Sequence, residues 1–215
     1  MRRLPLPTAL AATVVLGACG GAAGHQVQAG PAPAPEPTKG AQIARTDSLR
    51  RPYTEADIRF MTDMIGHHSQ AITMAGWAPS HGADQSVQTL AARIVNAQQD
   101  EIATMEQWLR ERNQPVPAPD SGMGGGHMQH MLMPGMLTPE QMHQLDQARG
   151  PAFDRLFLTS MIQHHRGAVS MVEALFATPG AARDETVFKF ANDVNVDQST
   201  EIARMETMLA ALPPQ

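Results

Sequence analysis

The sequence predicts an all-α protein: a four-helix bundle made of two duplicated helical hairpins, with a Met/His-rich connecting loop. Three observations carry that prediction. Aromatic residues are only 4% of the 215, whereas methionine numbers 15. A core must therefore rely on Leu, Ile, Val, Ala and Met, a mixture that favours helix over strand. The chain also repeats itself. "DIRFMTDMIGHHSQAITMA" (Asp57 to Ala75) aligns with "DRLFLTSMIQHHRGAVSMV" (Asp154 to Val172), and "QQDEIATMEQWL" (Gln98 to Leu109) with "QSTEIARMETML" (Gln198 to Leu209). Finally, each segment has apolar residues at helical spacing: Phe60, Met64, Ala71, Met74 and Ala75 share one face, and Leu90, Ile94, Ile102, Met105 and Leu109 another. One such hairpin leaves an apolar face bare, and two cover each other.

The elements follow in order. Arg2 and Arg3 precede a mostly apolar run, Leu4 to Ala18, which has the shape of a secretory signal and falls short of the ~20 residues of a membrane helix. "LGAC" resembles a bacterial lipobox, which makes Cys19 a lipidation site and the membrane a partner through that anchor. A plain secretory signal with a soluble product is the alternative. Cys19 is the only cysteine, so no internal disulfide forms. Residues 19–45, rich in Pro, Ala and Gly, read as a flexible tether. The bundle occupies 46–215, with repeat 1 at 54–112, a linker at 113–138 and repeat 2 at 139–211.

Long helices are expected at 54–78, 84–112, 152–177 and 184–211, with a shorter one at 139–149. Thr54 can cap the first, with Asp57 at its third position. Thr138 can cap the short one, with Pro139 first and Gln141 third. "WAPSHGAD" and "ATPGAARD" break the chain between paired helices. Asp57 and Asp154 are read as first-turn residues that compensate the helix dipole.

The formal charge is −5, and −7 once the segment holding Arg2 and Arg3 is removed, with 14 basic against 21 acidic residues. No basic patch is visible, which excludes nucleic acid as a natural partner. No nucleophile elbow, phosphate loop or dinucleotide fingerprint is present, so no catalytic residue is assigned.

The chemistry lies in histidine and methionine. Met64 precedes His67 by three residues and His68 by four, and so can sit beside either. Met161 stands in the same relation to His164 and His165. Met74 and Met171 lie two turns beyond His67 and His164. With the first hairpin turn centred near His81, Met64 faces the level of Gln98, and Glu101 lies about a turn further along. Glu101 shares a face with Met105, and Glu201 with Met205. Each half can thus supply imidazole, thioether and carboxylate. Thioethers suit Cu(I), and imidazole serves Cu(I), Cu(II) and Zn(II). Cysteine is unavailable for a structural zinc site, and neither doublet has the Glu-x-x-His spacing of di-iron bundles. Copper is therefore favoured. The linker adds Met123, His127, Met128, His130, Met131, Met133 and Met136, read as a copper-capturing segment or as a Met-rich hinge packed on the bundle. The competing reading makes the methionines core and the two glutamates rim or ion-pair residues.

These motifs, with "MPGML" from Met133 to Leu137, resemble those of domain-of-unknown-function family 305. The resemblance implies a ferritin-like bundle, usually exported, some of whose members bind copper outside the cytoplasm. It points to the histidine pairs and their methionines as ligands. The expected function is extracytoplasmic sequestration or buffering of copper, mainly Cu(I), with affinity falling as pH drops through the ordinary imidazole range. A metal-dependent oxidoreductase and a metal-free envelope interaction protein, its protein partner unknown, are the alternatives.

Overall fold

A computed structural model describes residues 53–117 and 132–213. The described residues contain five helices: α1 (Glu55–Gly76), α2 (Gln85–Glu111), α3 (Pro139–Gln147), α4 (Gly150–Ala177) and α5 (Glu185–Ala211). The described residues form no strand. α1 packs along α2 and α4 along α5. The two hairpins meet through α1 and α4, and short α3 touches both. This is the four-helix bundle that the duplication implies. Among the described residues, no helix is long and apolar enough to cross a membrane.

The caps form as the sequence requires. Thr54 and Asp57 make a reciprocal capping box on α1, and Thr138 and Gln141 another on α3. α3 stops at Gln147 because Ala148 is extended, and Gly150 then takes φ +55° to turn the chain into α4. α4 therefore starts two residues earlier than expected, with Pro151 in its first turn.

This early start corrects the reading of Asp154, which is the fifth residue of its helix. Its carboxylate accepts the Asp84 N–H at 3.0 and 3.2 Å, in the turn of the other hairpin. Asp57 does likewise, accepting from Ala182 N–H at 2.7 Å besides closing its own cap. The two aspartates are equivalent in the repeat, and both are almost fully buried. They clasp each hairpin's turn to the other hairpin's helix, which first-turn dipole compensation does not describe.

The core is split in two. One apolar cluster holds Ala71, Met74, Leu90, Ile94, Phe153, Phe157, Met161 and Met205. The other holds Phe60, Met64, Ile65, Met105, Trp108, Val172, Phe190 and Val194. All four long helices pass through both clusters, and each crosses from one to the other near its middle.

Candidate metal centre

What fills the crossing point is polar. On α1 it is His67 and His68, on α2 Gln98, on α4 His164 and His165, and on α5 Gln198. The four histidines are 0% exposed and the two glutamines 2%. Helical periodicity puts these residues on inward faces, and the antiparallel pairing brings them to one level.

The rings of His67 and His164 lie 3.9 Å apart, centroid to centroid. They are corresponding residues of the two repeats, so the pseudo-two-fold axis passes between them. His68 and His165 flank them at 6.4 and 6.2 Å. His165 Nε2 is hydrogen-bonded to Glu201 at 2.6 Å. His68 Nε2 lies 2.7 Å from Glu101 Oε2 but without hydrogen-bond alignment, so that nitrogen remains unsatisfied. Counting residues about His81 had put Glu101 beyond Met64, away from the histidines. The structure sets it against His68 instead, because the loop from Trp77 to Ala83 continues in tight turns and shifts the register of the pair.

The partners fix the tautomers. His67 Nε2 lies 2.9 Å from the Pro134 carbonyl oxygen, which can only accept. His67 therefore donates from Nε2 and keeps a lone pair on Nδ1. The Glu201 carboxylate likewise accepts from His165 Nε2. Neither Nδ1 has a partner, and neither do both nitrogens of His68 and of His164. The side-chain amides of Gln98 and Gln198 are unpartnered too. Each buried polar atom left without a partner costs about 1–3 kcal/mol. So many in one layer call for a ligand or ordered water. A carboxylate or carbonyl behind an imidazole, leaving the far nitrogen free, is the usual support of a metal-binding histidine.

Burial is the main force that pushes the His67 pKa down to about 3, helped by His68 and His165 and opposed by the Pro134 carbonyl. Burial, then His67, His165 and His68, holds His164 well below the ordinary imidazole range. Both rings are thus neutral at pH 7, the form that can ligate.

Thioethers bracket the layer. Met64 and Met105 stand in the cluster on one side, and Met74, Met161 and Met205 on the other, all fully buried. Met171 is half-buried beside the former cluster. From the linker, Met133 is half-buried, its methyl 3.4 Å from where a Cβ on Gly66 would stand, and Met136 is buried. This strap, 132–138, is held by both amide atoms of Gln70 on Leu137, at 2.7 and 3.0 Å. Cys19, Met123, His127, Met128, His130 and Met131 lie outside the described residues. Among the described residues, no three His, Asp or Glu side chains converge as a ready-made shell for an ion.

Sequence reasoning missed Gln98, Gln198 and the Pro134 carbonyl as members of this centre. The glutamines did carry a signal: both open the second repeat motif, on the apolar-spaced face of α2 and α5.

The model of the family described as "Domain of unknown function (DUF305)" matches residues 57–209. The chain belongs to the DUF305 family. Among solved structures, a DUF305 fragment from Deinococcus radiodurans is 30% identical with a TM-score of 0.63, over 75% of this chain and 99% of that one. CopM in its Cu(II)-bound form is 32% identical with a TM-score of 0.58, over 72% of this chain and 95% of that one. CopM has also been solved in Cu(I)-bound form, 29% identical with a TM-score of 0.55, over 73% and 96%. Uncharacterized protein L153 of Acanthamoeba polyphaga mimivirus is 41% identical over 56 residues, a stretch covering 26% of this chain and 37% of L153. The DUF305 match thus spans both hairpins and all four histidines.

Proposed function

We propose that this DUF305 protein sequesters or buffers copper outside the cytoplasm, holding Cu(I) foremost, and Cu(II), at its mid-bundle layer. The observation that carries the reading is the set of buried imidazole nitrogens without hydrogen-bond partners on His67, His68, His164 and His165, of which His67 and His164 are held neutral by burial. Imidazole with flanking thioethers suits soft copper better than a hard cation. In this reading Met64, Met74, Met105, Met161, Met171 and Met205 supply sulfur, and Glu101 and Glu201 orient His68 and His165. The linker group from Met123 to Met136 collects or exchanges the ion. Two likenesses support it: CopM is known in Cu(I)-, Cu(II)- and Ag-bound forms, and a DUF305 protein of Streptomyces coelicolor is described as secreted. The signal-like N-terminus, with lipidation at Cys19, belongs to the same proposal.

The test is an anaerobic Cu(I) titration against a competing chelator, on the full chain, on the variant with all four histidines changed to Ala, and on a version lacking 121–136. Loss of tight binding in the histidine variant supports the bundle site. Loss only in the shortened version moves the site to the linker. No tight binding by the full chain overturns copper and leaves a polar layer filled by water.

A further inference from the structure

The two sides of the bundle layer differ. On the α1–α4 side the strap lies over it, its Pro134 carbonyl on His67 and its Gly135 against Gly167, where a Cβ would stand 1.9 Å from the Pro134 oxygen. On the opposite side, α2 and α5 face each other across a cleft of about 160 Å³ lined by Gln98, Glu101, Asp197, Gln198 and Glu201. Glu101 and Glu201 reach from this cleft to His68 and His165. The cleft's carboxylates therefore touch imidazoles that are themselves fully buried beneath it.

Acidity alone would say little. The second observation is the pair Gln98 and Gln198, 98% buried, with neither amide oxygen nor amide nitrogen partnered. They line the cleft floor at the level of the histidines. A second groove, of about 540 Å³ and lined in part by Asp100, Glu101, Asp193 and Asp197, shares Glu101 and Asp197 with this cleft. The one lysine there, Lys189, is held by Asp193 at 2.8 Å. The repeat is broken at this spot: Asp197 stands where the first copy has Ala97.

We propose that the α2–α5 seam is the port through which a divalent cation reaches the histidines, with Asp197, Glu101 and Glu201 drawing it in and the Gln98 and Gln198 carbonyls passing it on. Carboxylate and amide oxygens suit a hard or borderline ion such as hydrated Cu(II), which the inner imidazoles then take. A one-sign cleft with low-dielectric walls concentrates counter-ions and speeds their capture, and salt abolishes the gain. The inference rests on the copper reading, and the test separates them.

Uptake is followed by stopped-flow mixing of the full chain with Cu(II), read by quenching of tryptophan fluorescence, alongside the equilibrium occupancy. Four proteins are compared: wild type, Asp197→Asn, Gln98→Leu/Gln198→Leu, and Glu206→Gln as a control for lost charge beside Arg166 on the strap side. Asp197→Asn is expected to slow uptake about threefold or more at low salt, with the difference gone at high salt. The double leucine variant is expected to slow it at every salt concentration. Leucine there removes unpartnered polar atoms, so a merely structural role predicts equal or higher stability and an unchanged rate. Wild-type rates in both variants with normal occupancy overturn the port and leave the copper site standing, as does an equal slowing by Glu206→Gln. Absence of Cu(II) uptake by the wild type overturns this inference, while the Cu(I) titration judges the site independently.

Discussion

His67 and His164 face each other across the pseudo-two-fold axis, ring centroids 3.9 Å apart at 42°, with neither ring able to take a proton at neutral pH. Two imidazolium ions could not share that space. Their depressed pKa values have a definite sign for stability. Unfolded, each histidine binds a proton below about pH 6.5. Folded, His67 does not until about pH 3, and His164 also resists. The unfolded state thus binds more protons in that window, and protons favour unfolding. The contribution is intact above about 6.5 and is lost progressively as pH falls towards 3. We expect the metal-free protein to lose urea resistance between pH 7.5 and 5, by up to about 1.4 kcal/mol per pH unit for each histidine. His67→Gln/His164→Gln should flatten the profile. An equally flat profile in the wild type would show that these rings are solvated.

The same shifts change the expected pH dependence of copper binding. From sequence, affinity should fade through the ordinary imidazole range. With His67 and His164 neutral well below it, protons compete for them far less. Cu(I) affinity measured at pH 7.5, 6 and 5 should therefore change little through these two ligands, and thioethers carry no proton at all. A drop of about tenfold per pH unit, beginning near pH 6.5, would mean ordinary imidazoles bind the ion.

The helices were legible because caps and periodicity are local. Thr54, Asp57, Thr138 and Gln141 announce themselves within four residues, and the His-His doublets stand out by repetition. Periodicity tells which face a residue takes but not the level it reaches, and level depends on how turns fold. That is why the contact of Glu101 with His68 could not be read, nor the meeting of Gln98 and Gln198 with the histidines. The long-range clasps made by Asp57 and Asp154 were invisible for the same reason. A carboxylate near a helix start already has a sufficient local explanation.

The strap should be more sensitive to Gly167 than its helical position suggests. A Cβ on Gly167 would stand 1.9 Å from the Pro134 oxygen and 2.4 Å from its carbonyl carbon, backbone atoms that cannot step aside alone. Gly66, in α1, would meet only the Met133 methyl at 3.4 Å, an ordinary contact with a flexible chain end. Alanine in a helix interior is favoured over glycine by about 1 kcal/mol. Gly66→Ala should therefore be neutral or stabilising in thermal unfolding. Gly167→Ala should cost about 1–3 kcal/mol. It should also displace the carbonyl from His67, seen as a moved His67 ring resonance in NMR. Equal effects from the two substitutions would mean the strap is not seated on α4.

The two repeats should differ most at Asp184. It caps α5, and its carboxylate also takes Trp108 Nε1–H at 3.1 Å and Arg112 Nη2–H at 2.7 Å, with no exposure to solvent. The Arg112 guanidinium in turn lies 4.4 Å from the Trp108 ring centroid. The equivalent Asp84 caps α2 through Ser86, at an exposed position. Where the first repeat places Trp108 and Arg112, the second has Met208 and Leu212, so nothing there can pair with Asp84. Removing one partner of a buried ion pair leaves the other charge stranded and costs about 3–5 kcal/mol. Losing an exposed cap costs about 1 kcal/mol. Chemical unfolding of Asp184→Ala should show the larger loss and Asp84→Ala the smaller. Arg112→Met added to Asp184→Ala should restore part of it by removing the stranded charge. If the double variant were less stable than Asp184→Ala, Arg112 would be contributing through its stacking on Trp108 and not through the ion pair.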